Sequence, residues 1–176
     1  MACVAVRMNA IDLLKQQHSI VKKALEKVHK SGASNTELKR IADELVAHMV
    51  IEEHIFYPRV KELMKDMVSE SFEEHAVARF ELARLLQAGG PEEKKTRALV
   101  LKELIEHHVK EEEEEMFPKV KNAIAAEELD ALGAKMKDAF DSAVEKGLEA
   151  FFQPSIHQLR HGGPNGAAVR QIHHHH

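Results

Sequence analysis

The feature that most constrains this chain is a short motif that occurs twice, sixty positions apart. The first copy runs from His48 to Pro58 and the second from His108 to Pro118. In each copy a His is followed four residues later by a Glu and then by a second Glu, and the copy closes with apolar residues and a Pro. Residues i and i+4 share one face of a helix, so each copy can aim an imidazole and a carboxylate at the same point.

A further His lies upstream of each copy. His18 precedes the first copy by thirty positions, and His75 precedes the second by thirty-three. The chain is therefore predicted to be a duplicated helix pair, in which a lone His is followed by the His-x-x-x-Glu motif. The three additional residues of the second pair fit a longer loop around Gly89, Gly90 and Pro91. Two such pairs facing each other would form a cage of nitrogen and oxygen ligands.

Six residues of this pattern are predicted to bind metal. They are His18, His48, Glu52, His75, His108 and Glu112. A structural zinc ion is tetrahedral and would be saturated by four of them. Six nitrogen and oxygen ligands suit two ions, which the carboxylates can bridge. Mixed imidazole and carboxylate ligation favours iron or manganese over magnesium or calcium, and it leaves open positions for a small exogenous ligand.

The composition predicts an all-α fold. Gly and Pro are few among the 176 residues, whereas Ala, Leu, Glu and Lys are abundant. Four ligand-bearing helices joined by short loops indicate an up-down-up-down four-helix bundle with an additional C-terminal helix. Hydrophobic spacing places the helices at about residues 10–30, 37–64, 68–87, 92–123 and 127–152.

These elements suggest four segments along the chain. Residues 1–9 are predicted to be an N-terminal extension that is too short for a signal peptide, and residues 10–124 to be the bundle. Residues 125–153 form an amphipathic helix without a ligand, which either covers the bundle or binds a partner. Residues 154–176 are interpreted as a flexible tail whose last four residues, His173–His176, are a purification tag.

Composition also excludes several classes of partner. A net charge of −4 gives no electrostatic footprint for nucleic acid. No apolar run approaches transmembrane length, so no membrane partner is predicted. The single Cys3 cannot form an intrachain disulfide and fits a reducing compartment, from which we expect a cytoplasmic location. The pattern identifies no protein partner.

At these residues the chain resembles the hemerythrin-like family, also called HHE cation-binding domains. The resemblance covers about Ile11 to Lys121, and it rests on the two motif copies taken together with the His upstream of each. It implies a non-haem di-iron centre, with two iron ions bridged by carboxylates and by an oxo or hydroxo group. It also implies that the four His are terminal ligands and that Glu52 and Glu112 are the bridges. Family members carry or sense dioxygen, bind nitric oxide, respond to iron or react with peroxide.

One position departs from the oxygen-carrying members of that family. Those members have a further His one turn after the His of the third helix, where this chain has Arg79. Arg stays protonated and is not a metal ligand. Either one iron has a more open shell, or Glu53, Tyr57, His54 or Glu113 fills the gap. A more open, oxygen-rich site favours chemistry with peroxide over reversible oxygen carriage.

His107 competes with His108, because it also has a Glu four residues later. The register set by the two Pro residues favours His108.

The first hypothesis is therefore a cytoplasmic di-iron protein that binds dioxygen, nitric oxide or hydrogen peroxide. One alternative is an enzyme that decomposes peroxide at the same centre. Another is an iron or oxygen sensor that acts through its C-terminal helix.

Overall fold

The computed structural model describes residues 8–151, and every regular element in that range is helical, which confirms the all-α prediction. The α-helices are α1 (Ala10–Ser31), α2 (Asn35–Ile51), α3 (Tyr57–Val60), α4 (Lys65–Leu86), α5 (Pro91–Glu111), α6 (Phe117–Ala123) and α7 (Ala126–Lys146). Two π-helical turns, Glu52–Phe56 and Glu112–Met116, join α2 to α3 and α5 to α6. The segment predicted to be a tail with its tag, Cys3 and most of the proposed extension lie outside the described residues.

Local side-chain chemistry explains where the helices begin. Asn9 caps α1 by accepting a 3.0 Å hydrogen bond from the backbone N–H of Asp12. Ser34 and Glu37 cap α2 reciprocally, since each side chain accepts a hydrogen bond from the other residue's backbone N–H. Pro91 opens α5 at the position where its missing N–H has no intrahelical partner to lose. None of the helices between residues 8 and 151 is long and apolar enough to cross a membrane.

The second and fourth predicted helices are each interrupted by a π-helical turn at the same point of the motif. The backbone N–H of Tyr57 donates to the carbonyl of Glu52, and that of Phe117 donates to the carbonyl of Glu112. The sequence predicts a kink or an end near Tyr57, because Pro58 lacks an N–H. At this point the helix widens into the π-helical turn, and α3 continues from Tyr57 only to Val60, short of the predicted end at Met64. Both Phe56 and Tyr57 are fully buried.

Four long helices surround one interior. α1 packs against α2 and α5, and α4 packs against the same two helices. The buried apolar side chains form two clusters at the two ends of this bundle. On α1, His18 lies between Leu14 of one cluster and Val21 of the other, and on α4, His75 lies between the clusters in the same way. The candidate ligands therefore occupy a polar layer between two apolar cores.

The face that α4 turns inward differs from the predicted one. Phe72, Val77 and Phe80 belong to its predicted apolar set, but they are 40%, 49% and 45% exposed. The residues that face the interior are Val68, Ser71, His75, Ala78 and Leu82. Placing His75 in the interior fixes the rotation of the helix, and these three apolar residues lie at other helical angles.

The C-terminal helix α7 packs against α1 and α2, so within the described residues it covers the bundle. It ends at Lys146 and not at the predicted Phe152, which lies beyond the described residues. Gly147 follows with φ of 75°, a left-handed conformation that stops the helix. The next N–H, of Leu148, donates a 2.8 Å hydrogen bond to Asp43, which turns the chain back onto α2.

The contact between α7 and the start of α1 depends on Gly133. A Cβ at this position would lie 2.4 Å from the carbonyl oxygen of Met8 and 2.6 Å from the carbonyl carbon of Asn9. We predict that Gly133→Ala lowers the free energy of unfolding by about 1–3 kcal/mol, because backbone atoms cannot yield as a side chain can. Urea unfolding measures this change.

The matched control for this prediction is Gly89→Ala, whose Cβ would meet only the carboxylate of Glu93, at 3.6 Å. Its free energy of unfolding should stay close to that of the parent protein. Equal stabilities for Gly133→Ala and Gly89→Ala would contradict the close packing of α7 on α1.

Candidate metal centre

All six predicted ligands meet in the polar layer of the bundle, and each is at most 6% exposed. The imidazoles come from four helices, and the two carboxylates stand at the first residue of each π-helical turn. The helices α1, α2, α4 and α5 contribute, in that order, His18, His48, His75 and His108, and the two turns contribute Glu52 and Glu112.

Within this layer, Glu52 belongs to two groups of potential ligands. His18, His48 and Glu52 each offer one donor atom within 4.8 Å of the others, and so do Glu52, His75 and His108. Oε1 of Glu52 lies 3.2 Å from Nε2 of His48 and 3.7 Å from Nε2 of His18. Its Oε2 lies 3.2 Å from Nε2 of His75. One carboxylate thus stands between two imidazole pairs, as a bridging ligand would.

Glu112 also stands between the two halves of the centre. Its Oε2 is 3.2 Å from Nε2 of His18 and 3.6 Å from Nε2 of His108. Its other oxygen, Oε1, accepts a 2.8 Å hydrogen bond from the hydroxyl of Tyr57. The two carboxylates therefore share the same position relative to the imidazoles, but only Glu112 is tied to a phenol.

Each of the four imidazoles also makes an Nδ1 hydrogen bond on the side away from the centre. The acceptors are Glu113 for His18 at 2.9 Å, Gln17 for His48 at 2.8 Å, Glu53 for His75 at 2.9 Å and Glu74 for His108 at 2.6 Å. An ionised carboxylate can only accept, so Nδ1 carries the hydrogen and Nε2 of the neutral ring presents its lone pair to the interior. Outer partners of this kind orient metal-bound His residues.

These outer partners follow the sequence repeat. The second Glu of each copy, Glu53 or Glu113, holds the upstream His of the other copy. The motif His of each copy is held by the residue just before its upstream His, which is Gln17 in one half and Glu74 in the other. Sequence reasoning missed Gln17 and Glu74, although their identical position next to the upstream His is a signal that the repeat contains.

The unpaired atoms of the centre fit a metal. Among residues 8–151, five buried side-chain nitrogen or oxygen atoms lack a hydrogen-bond partner, and four of them belong to His18, Glu52 and Glu112. Nε2 of His75 and Nε2 of His108 lie 3.1 Å apart, although each is the free nitrogen of its ring. Two lone pairs at that distance repel each other unless a cation or a proton lies between them. The donor set therefore suits cations that accept nitrogen and oxygen ligands.

The pKa values of the imidazoles in the centre are set by burial and by the neighbouring charged groups. Burial opposes a charge on His75, but Glu52 and Glu53 outweigh it and raise the pKa of His75 to about 9. His18 behaves alike, since Glu112 and Glu113 outweigh burial and raise its pKa well above the ordinary value. Burial lowers the pKa of His48 to about 3, and the neighbouring imidazoles of His18, His75 and His108 lower it further against the opposing charge of Glu52. Without a metal, protons on the imidazoles balance the buried carboxylates, and metal ions would displace them.

Arg79 contacts the centre indirectly, through Glu53. Its guanidinium donates two hydrogen bonds to Glu53, at 2.7 and 2.8 Å, and Glu53 in turn accepts from Nδ1 of His75. The residue at the position of the missing fifth imidazole thus holds the partner of a predicted ligand. Glu113 has the corresponding outer role at His18, and His54 is exposed.

Of the four residues proposed to fill the gap, Tyr57 is the one whose polar atom reaches the inner donor set. Its hydroxyl lies 3.3 Å from Nε2 of His75 and 3.5 Å from Nε2 of His108. Sequence reasoning favoured a packing role for this side chain. Sixty positions later the equivalent residue is Phe117, whose ring stacks on His18 at 5.9 Å and has no hydroxyl. The repeated centre is therefore asymmetric by one phenolic oxygen.

His107 faces solvent and His108 faces the interior, as the register of the motif predicts. His108 is 4% exposed and faces the centre, while the side chain of His107 is 66% exposed. His157 and His161 lie outside the described residues.

A cleft of about 380 Å³ leads from the surface to one edge of the centre. α1, α2 and α7 form its walls, with Ile20 at α1 and Phe140 at α7, and Gln17 and His48 line it as well. The side chain of His48 is 8% exposed, more than those of the other three imidazoles. The cleft therefore reaches the half of the centre that lacks the phenol.

Comparison with known proteins agrees with this arrangement. Residues 9–120 match the family model described as the hemerythrin HHE cation binding domain. The uncharacterized proteins Rv2633c of Mycobacterium tuberculosis and Mb2666c of Mycobacterium bovis are each 31% identical over 138 residues, which cover 73% of this chain and 83% of the relative. A crystal structure of a hemerythrin HHE cation binding domain-containing protein from Mycobacterium kansasii, a homolog of Rv2633c, gives a TM-score of 0.66. It is 25% identical and covers 88% of this chain and 94% of that chain.

The hydrogen bond from Tyr57 to Glu112 supports a prediction for the metal-free protein. Tyr57→Phe should lower the free energy of unfolding by about 1.5–3 kcal/mol, because a buried carboxylate loses a donor. Urea unfolding of the parent protein, of Tyr57→Phe, of Glu112→Gln and of the double variant forms a cycle that isolates this pair. An equal decrease in the free energy of unfolding on Tyr57→Phe, in the parent protein and in Glu112→Gln, would show that the hydroxyl and the carboxylate are not coupled.

Proposed function

Because the chain belongs to the hemerythrin HHE cation-binding domain family, we propose that it is a non-haem di-iron protein that binds dioxygen, nitric oxide or hydrogen peroxide. The proposed centre lies among four ligand-bearing helices in up-down-up-down order. The observation that carries the proposal is the position of Glu52, which is shared by two groups of buried donors. A single ion would need only one of these groups.

Each residue of the centre has a distinct role in this proposal. His18 and His48 would hold one iron, His75 and His108 would hold the other, and Glu52, which lies between the two pairs, would be their shared ligand. Glu112 would be a second shared ligand, and its other oxygen accepts the hydrogen bond from the hydroxyl of Tyr57. When bound, the iron pair supplies redox-active positions for a small ligand. The four outer acceptors fix the ring orientations, so that the donor set is preorganised before a metal arrives.

The chemistry of the donors favours iron over the alternatives. Four imidazoles and two carboxylates exceed what a tetrahedral zinc site uses. Calcium and magnesium prefer shells made of oxygen alone. Two carboxylates balance only part of the charge of two divalent or trivalent ions, so an anionic ligand or a deprotonated phenol at Tyr57 would be stabilised there.

A second candidate function is peroxide decomposition at the same centre. The specific observation that favours it is the buried hydroxyl of Tyr57, which lies within 3.5 Å of two imidazole nitrogens. This group can hold or donate a proton where a peroxide oxygen would bind. Disproportionation converts two molecules of hydrogen peroxide into two of water and one of dioxygen, and it needs no external reductant.

One experiment separates the two functions. The iron-loaded protein is reduced without air, exposed to dioxygen and returned to an oxygen-free atmosphere, while its charge-transfer absorption is followed. A spectrum that reverses on removal of dioxygen supports reversible binding. Release of dioxygen from added hydrogen peroxide, with the iron content unchanged, supports decomposition. Cleavage of His173–His176 beforehand removes a second source of metal binding.

The shared position of Glu52 predicts how substitutions change the iron content. His48→Ala should remove one iron per chain and leave the other, whereas Glu52→Ala should remove both or leave them weakly bound. Both variants should also lose part of the thermal stabilisation that iron gives the parent protein. Elemental analysis after gel filtration measures the iron, and His54→Ala, an exposed imidazole of the same motif, is the control that should keep two.

A parent protein that loads one zinc, or no metal at all, would overturn the di-iron proposal. Equal iron contents for His48→Ala and Glu52→Ala would refute the bridging role of Glu52 but not the di-iron centre itself.

The cleft beside His48 gives a further prediction, about ligand access. Ile20 is 49% exposed and lines the cleft, so Ile20→Trp should narrow it. We expect slower association of azide or nitric oxide by stopped-flow absorption, with the final spectrum unchanged. Val77→Trp is the control, because Val77 is also 49% exposed but lies on α4, away from the cleft. Equal rates for the two variants would mean that ligands enter elsewhere.

A further inference from the structure

The second copy of the motif contains two overlapping His-x-x-x-Glu pairs. His108 and Glu112 form the inner pair, and His107 and Glu111 form a second pair one residue earlier. One residue turns an α-helix by about 100°, so the second pair points in another direction. The inner pair is buried, while the side chains of His107 and Glu111 are 66% and 31% exposed. The same stretch of helix therefore presents one His–Glu pair to the interior and another to solvent.

Glu74 of α4 joins the outer pair. Its Oε1 lies 3.5 Å from Nε2 of His107, which is also 3.4 Å from Oε1 of Glu111. One donor atom from each of the three residues lies within 4.8 Å of the others. Two donors that each sit about 2.1 Å from one ion, at ordinary coordination angles, are separated by roughly 3 to 3.5 Å. The two distances from His107, 3.4 and 3.5 Å, lie at the upper end of that range.

The cluster belongs to only one half of the repeat. Sixty positions before His107 and Glu111 stand Ala47 and Ile51, which are buried, and the counterpart of Glu74 is Gln17. The buried centre therefore does not need a His–Glu pair at the positions of His107 and Glu111. It uses one oxygen of Glu74, which accepts from His108, and leaves the other to the outer pair.

Ordinary surface ion pairs do not account for the cluster either. Between residues 8 and 151, neither Glu74 nor Glu111 pairs with a Lys or an Arg, and their charged contacts are with His107 and His108. Two carboxylates on neighbouring helices thus face the same imidazole. Like charges in such proximity are unfavourable unless a cation joins them.

We propose that Glu74, His107 and Glu111 form a second, solvent-accessible site for a divalent transition-metal cation. One imidazole and two carboxylates suit ferrous iron or manganese, and water completes the shell because the site opens to solvent. The site is separated from the buried centre by a single side chain, since Glu74 contacts His107 on one side and His108 on the other.

That position gives the outer site a role, which rests on the proposed di-iron function. Only the Glu74 carboxylate would separate a ferrous ion held there from the ring of His108, so a shift of that carboxylate would open the way toward the interior. The outer site therefore captures iron and delivers it to the half of the centre that contains His75 and His108.

The binding of Mn²⁺ tests the site itself. The tag-free protein is titrated with Mn²⁺ while the free ion is followed by electron paramagnetic resonance, after the metal content of the buried centre has been measured. His107→Ala combined with Glu111→Gln should bind one Mn²⁺ fewer per chain, or bind it at least about tenfold more weakly. The control is His54→Ala combined with Glu145→Gln, which removes the same two groups at exposed positions and should match the parent protein. Equal Mn²⁺ binding by the parent protein and by both double variants would overturn the proposal, whatever metal the buried centre holds.

Loading kinetics test the delivery role separately. Limiting ferrous iron is added to metal-free protein, and the absorption of the buried centre is followed with time. The His107→Ala, Glu111→Gln variant should fill at least about tenfold more slowly and reach the same final iron content, since affinity at the capture site sets the supply. An unchanged rate together with lost Mn²⁺ binding would refute delivery and leave the surface site in place. Failure of the parent protein to take up iron would refute the di-iron function without affecting the Mn²⁺ result.

Discussion

Six polar side chains that converge in the interior are the constraint on which the rest of this structure depends. Four imidazole nitrogens and two carboxylates face one another in a layer where each residue is at most 6% exposed. Such a set repels itself unless positive charge fills it, and protons or metal ions are the two available sources. Each helix is rotated so that its His enters this layer, even where that turns Phe72 and Phe80 of α4 toward solvent. On α4 the interior position of His75 thus decides which face is buried, whereas on α1 and α2 the apolar pattern and the His share one face.

The two halves of the centre are similar in position but different in chemistry. The repeat places an outer acceptor on every imidazole, yet the acceptor is an amide at His48 and a carboxylate at the other three. A carboxylate partner makes an imidazole a stronger donor, so the half with His75 and His108 is the more electron-rich. The phenol of Tyr57 lies in that same half, while the cleft opens at the other. A small ligand arriving through the cleft would therefore meet the weaker donors first.

Sequence alone identified the family, the helical class and the six side chains that meet in the interior. It could do so because the spacing of four residues within each copy, and of sixty between copies, is a local and repeated signal. Their role as metal ligands stays a prediction. The partners Gln17 and Glu74 were missed because they act across helices, and no local spacing encodes which helix faces which. The predicted end of α7 lies too far along the chain, because the apolar residues Leu148 and Phe151 continue the helical period. Gly147, with its left-handed backbone, stops the helix before them.

The two π-helical turns decide which side chains of the later residues face the centre. A turn of this kind is a regular helix that has accepted one additional residue, and it is rare in proteins. Here it occurs at Glu52–Phe56 and again at Glu112–Met116, at the same place in both copies of the motif. One additional residue rotates every later side chain of a helix by about 100°. The widened turns therefore decide that Tyr57 and Phe117, and not their neighbours in the sequence, are the aromatic side chains that face the imidazoles.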